Sequence, residues 1–199
     1  MPLDDNYWSN RYSNNTAAWD IGKISTPLKE YIDQLTNKEI SILIPGCGNS
    51  YEAEYFLQNG FLNITLIDIS SLLCKQLEEK LASNLPSQSK IICGDFFENP
   101  GQYDLIIEQT FFCALEPSFR KAYAEKMYRL LKPGGKLIGV LFNKTFESNP
   151  PFGGSESEYR QLFQLNFIIE IMAACYNSIT PRREAELFIK LTRKEILQA

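Results

Sequence analysis

The chain has 199 residues, of which 44% are hydrophobic, 22% charged and 13% aromatic. A single domain of this size buries roughly 70% of the surface its unfolded chain exposes, so it needs neither disulfides nor a structural metal. A net charge of -4 argues against nucleic acid as a partner, because phosphate contacts need clustered Lys and Arg. The absence of histidine removes the commonest general base and metal ligand.

In chain order, a polar segment carrying Trp8, Tyr12 and Trp19 comes first. The spacing then predicts a strand over Ile40–Pro45, a helix over Tyr51–Asn59, a strand over Ile64–Asp68 and a helix over Ser70–Ser83. Strands follow over Ile91–Cys93 and Tyr103–Glu108, then a helix over Phe119–Leu131 that Lys132-Pro133-Gly134-Gly135 stops, then a strand over Lys136–Phe142. Such alternation implies a parallel, doubly wound sheet, with ligands outside the carboxyl ends of the strands. Asn149–Ser155 reads as a surface loop. The runs Asn166–Ala174 and Ala185–Leu191 have no room between them for a crossover helix and should pair antiparallel. The expected fold class is therefore α/β and Rossmann-like, with a seven-stranded, mostly parallel sheet and an antiparallel C-terminal pair. One domain spans residues 1–199, with a helical cover (1–35) on an α/β core (36–199).

The five cysteines are never closer than 19 residues and form no CxxC site, so a reducing compartment, the cytoplasm, and no bound metal are expected. Met1-Pro2-Leu3-Asp4-Asp5 has no signal-peptide pattern, and no apolar run approaches the roughly 18 residues of a membrane span. A monomer is the default.

Gly46-Cys47-Gly48 follows the first strand and opens a helix, where small residues admit a ligand to the backbone and free N–H groups can bind it. The third glycine of the dinucleotide fingerprint is missing, since Tyr51 occupies its place, and a lone GxG fits an ordinary turn equally well. Asp68 ends the next strand, 22 residues beyond Gly46. Its carboxylate suits both hydroxyls of an adenosine ribose, or the cap of the helix that Ser70 and Ser71 begin. After the third strand, Asp95 suits an adenine amino group and Phe96 its ring, although Phe96 suits the core as well. Signals at three successive strand ends are more specific than any one alone.

These motifs, with Tyr103-Asp104-Leu105-Ile106-Ile107-Glu108 and Leu130-Leu131-Lys132-Pro133-Gly134-Gly135, resemble class I S-adenosylmethionine-dependent methyltransferases. More narrowly, the sequence is similar to the thiopurine methyltransferase family, which includes thiol and halide methyltransferases. The narrower likeness rests on Trp8, Tyr12, Trp19-Asp20 and Gly22, on Gln109-Thr110-Phe111-Phe112-Cys113-Ala114-Leu115, and on Arg120 with Tyr123. It extends through Pro150-Pro151-Phe152-Gly153-Gly154 and Asn177-Ser178-Ile179 with Pro181-Arg182. The resemblance implies S-adenosylmethionine as cofactor and S-adenosylhomocysteine as product. It implies that Trp8, Tyr12 and Trp19 cover the cofactor, that Gly46 and Gly48 lie at its methionine part, and that Asp68 holds its ribose. Asp95 and Phe96 would meet the adenine, and Glu108 would face the sulfonium and amino groups. The sequence departs from many relatives at Tyr12, where they carry Trp, and Glu108 stands where the residue type varies.

The N-terminal aromatics fit a helix packed on the sheet, and equally a cover that attracts a sulfonium and excludes water. Phe111, Phe112 and Phe152, with Phe142 and Phe146, are candidates for an apolar acceptor pocket or for core. Asn149-Pro150-Pro151-Phe152 imitates a motif of amino-group methyltransferases but follows the fifth strand rather than the fourth, so that chemistry does not transfer. By resemblance Arg120 would point into the active site and steer an anionic acceptor; otherwise it is a surface charge. Glu108, Tyr123 and Tyr159 are candidate proton acceptors or orienters, and Cys113 reads as packing. The expected reaction transfers methyl to a small soft nucleophile, such as a thiol, thiopurine or halide, by in-line displacement that needs little help from a base. The alternatives are a non-catalytic adenosyl-ligand sensor and a dinucleotide-dependent oxidoreductase, the latter disfavoured by the missing glycine.

Overall fold

In the computed structural model, which describes residues 2–195, two helices, α1 (Asp5–Ser13) and α2 (Thr26–Asp33), precede the sheet. The core then alternates β1 (Ile42–Pro45), α3 (Tyr51–Gln58), β2 (Ile64–Asp68), α4 (Ser71–Leu81) and β3 (Lys90–Cys93). It continues with β4 (Tyr103–Gln109), α5 (Arg120–Leu130), β5 (Leu131–Phe142), α6 (Glu156–Phe163), β6 (Phe167–Ala174) and β7 (Glu186–Arg193). Met1 and residues 196–199, the outermost ends of the expected domain, lie outside the described residues.

Side chains alternate across each strand, and this divides the core in two. Ile42 and Ile44 of β1 pack with Leu28 and Ile32 of α2, Phe56 of α3 and Leu77 of α4. Leu43 points to the other face, where Tyr123 and Met127 of α5 and Tyr159 and Phe163 of α6 lie. The strand order is β3-β2-β1-β4-β5-β7-β6, parallel except for β7, which is antiparallel to both neighbours. The expected seven-stranded sheet and its antiparallel C-terminal strands are present. The chain reverses direction across the sheet between β1 and β4, which opens a crevice at their carboxyl ends. Pairing of Pro45 with Ile67 and of Asp68 with Cys93 brings Gly46, Asp68 and Gly94 to that same edge.

Two elements differ from the sequence expectation. Lys132-Pro133-Gly134-Gly135 does not separate helix from strand: β5 starts at Leu131, directly after α5, and a register shift opposite Tyr103 and Leu105 absorbs the irregular residues. Helix α6 was not foreseen; it is the crossover after β5, and Ser155 caps it by accepting from the Glu158 N–H at 3.3 Å. Among the described residues no helix is long and apolar enough to cross a membrane, and no cluster of three or more acidic or sulfur side chains is suited to hold a metal.

Candidate active site

The turn after β1 admits only glycine at two positions. Gly46 and Gly48 have φ of 54° and 51°, the left-handed region that favours glycine. A Cβ at Gly46 would stand 2.2 Å from Cδ2 of Phe111, and one at Gly48 would stand 2.8 Å from the Tyr12 hydroxyl. Beside this turn, Asp68 accepts from the Gly48 N–H and the Ser70 N–H, each at 2.9 Å. Ser70 caps α4 itself, accepting from the Leu73 N–H at 3.3 Å, so Asp68 braces two turns while its carboxylate lines the cleft. Burial pushes its carboxyl up, and the Ser70 and Gly48 N–H groups offset part of that shift.

A cleft of about 990 Å³ opens above these strand ends. Of the residues singled out from the sequence, Trp8, Tyr12, Trp19, Gly46, Gly48, Asp68, Asp95, Phe96 and Phe111 line it. Asp95 also caps the short turn after β3 by accepting from the Phe97 N–H at 2.8 Å, and Phe96 packs edge-on to Phe111 at 5.1 Å. The N-terminal aromatics form one assembly. Trp19 meets Trp8 at 5.5 Å and Tyr12 at 5.7 Å, and its indole N–H donates to the Tyr12 hydroxyl at 2.9 Å. Asp20 fastens this assembly to the glycine turn, accepting from Asn49 and from the Tyr51 hydroxyl. At the other end Arg182 donates to the Trp19 carbonyl at 2.6 Å.

Glu108, Phe112, Arg120, Phe152 and Tyr159 do not line the cleft; they stand behind its wall. Glu108 is fully buried and accepts from the Phe111 and Phe112 N–H groups at 3.2 and 3.3 Å, which shapes the turn carrying Phe111. Its Oε1 has no partner, and burial pushes its carboxyl up to about 7. Tyr159 donates to the Phe142 carbonyl at 2.8 Å. Arg120, expected to present its charge to an acceptor, is instead buried: it pairs with Glu158, donates to the Gly153 carbonyl at 2.6 Å, and lies 5.1 Å from the Phe112 ring. Phe152 donates its N–H to the Cys113 carbonyl at 2.6 Å.

Phe142 and Phe146, candidates for the acceptor pocket, line the cleft, and so do Arg182, Pro150, Pro151 and Glu52, to which the sequence assigned no role. Arg182 is 8% exposed, with its guanidinium 5.5 Å from the Phe142 ring and paired with the buried Glu186 at 3.4 Å. Phe142 and Phe146 meet edge to face at 4.9 Å, and Pro150 and Pro151 continue that wall. Glu52, in the first turn of α3, also faces the cleft, and burial pushes its carboxyl up to about 7. Asp20 and Arg182 stood inside the motifs Trp19-Asp20 and Pro181-Arg182, which were the available signals.

A glycine turn bordered by Phe111 and Tyr12, a carboxylate at the end of β2 and an aromatic-acidic step after β3 fit an adenosyl ligand. On this fold they define a class I S-adenosylmethionine-dependent methyltransferase. The chain belongs to the thiopurine S-methyltransferase family, whose model matches residues 3–197. It is 32% identical over 160 residues to a probable thiol methyltransferase of Arabidopsis thaliana, covering 78% of this chain and 70% of that protein. It is 23% identical over 191 residues to the thiopurine S-methyltransferase of Pseudomonas fluorescens, covering 86% and 87%. In fold it is similar to the 1,6-didemethyltoxoflavin-N1-methyltransferase of Burkholderia thailandensis, solved with S-adenosylhomocysteine (TM-score 0.75, 14% identity, covering 96% of this chain and 87% of that one). The protein is an enzyme, and S-adenosylmethionine is its cofactor.

Proposed function

We propose that the protein methylates a small sulfur nucleophile, a thiol or thiopurine, and accepts halide by the same route, releasing S-adenosylhomocysteine. The observation that carries this reading is the acceptor end of the cleft: Phe142, Phe146, Pro150 and Pro151 make an apolar wall, and beside it stand the largely buried Arg182, paired with Glu186 at 3.4 Å, and Lys144, 4.9 Å from the Phe146 ring. Apolar walls strip water from a soft anion and raise its reactivity, while the cations of Arg182 and Lys144, the two that line this end of the cleft, favour its retention. Names of relatives support the class, since thiol, thiocyanate and thiopurine methyltransferases are among them.

The bound cofactor supplies an electrophilic methyl carbon on a sulfonium. The chain's part is to hold and orient. Gly46 and Gly48 receive the methionine portion, Asp68 the ribose, and Asp95 with Phe96 the adenine. Trp8, Tyr12 and Trp19, in the cover of residues 1–35, close over the sulfonium and exclude water. Phe111 sits on Gly46 and fixes the line of attack, and Glu108 acts through it by holding its turn. A thiolate needs no proton removed at the moment of transfer, so rate comes from positioning and desolvation. Arg120 stabilises the wall rather than meeting the acceptor. The partner of this reading is a small-molecule acceptor, and five unpaired cysteines suit a reducing compartment such as the cytoplasm.

The test is incubation with methyl-labelled cofactor and a panel of thiols, thiopurines and halides. Labelled thioether product is the expected result. Tight cofactor binding with no turnover across the panel would replace the enzyme reading with a sensor.

A further inference from the structure

The two cysteines nearest in sequence, Cys74 and Cys93, come together in space. Ile91 of β3 packs against the side of the sheet that carries Leu77 and Leu81 of α4. Cys93, two residues further along the strand, projects to that same side, and Cys74 lies one helical turn before Leu77. The Cys74 thiol donates to the Asp68 carbonyl at 3.5 Å and lies 3.9 Å from the Ile92 carbonyl, whose carbon is bonded to the Cys93 nitrogen, so the two cysteines are neighbours across the α4–β3 packing. Cys74 is buried and Cys93 is exposed. Neither lines the cleft, yet both adjoin it: Asp68 pairs with Cys93 across the sheet, and the Gly94 N–H donates to the Asp68 carbonyl at 2.9 Å.

We propose that Cys74 and Cys93 form a reversible disulfide in the presence of hydrogen peroxide, and that this cross-link weakens cofactor binding. The exposed Cys93 sulfur attacks one peroxide oxygen, the O–O bond breaks, and the thiol proton leaves with the departing hydroxide as water, leaving a sulfenic acid. The Cys74 sulfur then attacks that sulfur; the S–S bond forms and the sulfenic hydroxyl departs with the Cys74 proton as a second water. Two thiols are oxidised and one peroxide is reduced to two waters. A sulfur–sulfur bond fixes the separation of β3 and α4 within a narrow range, at the point where Gly94 and Asp95 enter the cleft. The S–H donated to the Asp68 carbonyl is lost in the same step. Intracellular disulfides of this kind are characteristically transient and redox-sensing.

The full-length protein is treated with peroxide, its remaining thiols are alkylated, and its peptides are mapped by mass, with cofactor affinity measured by calorimetry on the same sample. A peptide joining Cys74 to Cys93, two hydrogens lighter than the reduced pair, is expected, together with a several-fold rise in Kd, and dithiothreitol should reverse both. Cys93→Ser, a change at an exposed position, should give no cross-link and an affinity unaffected by peroxide; Cys74→Ser should leave Cys93 to oxidise past the sulfenic acid. Free Cys74 after peroxide, a cross-link with unchanged Kd, or a Cys93→Ser protein that still loses affinity would each overturn the proposal.

Discussion

Asp68 shows how one side chain joins scaffold to chemistry, because its two oxygens hold the turns on either side while facing the cleft. Asp68→Ala should weaken S-adenosylmethionine binding by about 1.5–3 kcal/mol, the range for a hydrogen-bonded charged group, with the circular dichroism of the fold retained. Calorimetry on the folded variant checks this; unchanged affinity would leave Asp68 with the turns alone. The two buried arginines separate in the same way. Arg182→Met should raise KM for an anionic acceptor more than for a neutral one, whereas Arg120→Met should alter both alike and lower unfolding stability by about 1.5–3 kcal/mol, because it leaves the Gly153 carbonyl without its charged donor. Glu108 gives a pH signature. Its folded carboxyl titrates near 7 against an ordinary 4.5, so the unfolded state releases the proton first and stability falls as pH rises from about 4.5 to 7. Glu108→Gln keeps an acceptor for the Phe111 and Phe112 N–H groups and removes the titration, so denaturant unfolding should show it more stable than the parent at pH 8 and equal to it at pH 4. The sequence made Asp68 legible because a strand end and a fixed spacing announce it. It could not distinguish Arg120 from Arg182, since burial and partners decide which charge faces a cavity.

At the scale of elements, the cover is tied down at several points. Asp5 of α1 accepts from the Ser71 N–H at 2.8 Å, Ser9 meets Ser70 at 2.8 Å, and Arg11 lies 5.0 Å over the Trp19 ring. None of these contacts builds the sheet, so deletion of residues 1–20 should abolish methyl transfer while the far-ultraviolet spectrum keeps its α/β character. Hydrogen exchange should show α1 protected when cofactor binds; full activity in the truncated protein would make the aromatics mere packing. The strands were readable as short apolar runs, and β1, β2, β3 and β5 are closed by Gly46, Asp68, Gly94 and Asn143. Helix α6 was hidden by its polar outer face, Glu156, Ser157 and Arg160, although Ser155 and Glu158 stand at the spacing of a capping box. The start of β5 was hidden for the opposite reason: Pro-Gly-Gly reads as a break, and only pairing with Tyr103 makes it part of a strand.

For the whole molecule, a sheet that reverses between β1 and β4 brings the glycine turn, Asp68 and Asp95, the proposed cofactor cradle, into one cleft with Phe142, Pro150 and Arg182, the proposed acceptor wall. Sequence pattern carried the topology and the cradle, which depend on local turns; the acceptor wall is assembled from segments far apart in the chain, Phe142, Pro150 and Arg182, which no local pattern joins. The central claim is that this arrangement methylates a thiolate by positioning it, without a protein base. The most direct test is the pH dependence of kcat/KM at saturating S-adenosylmethionine for two thiols of different acidity. The account predicts that the inflection moves with the pKa of each acceptor, and an inflection fixed near pH 7 for both thiols, the signature of a protein carboxyl such as Glu108 or Glu52, would contradict it.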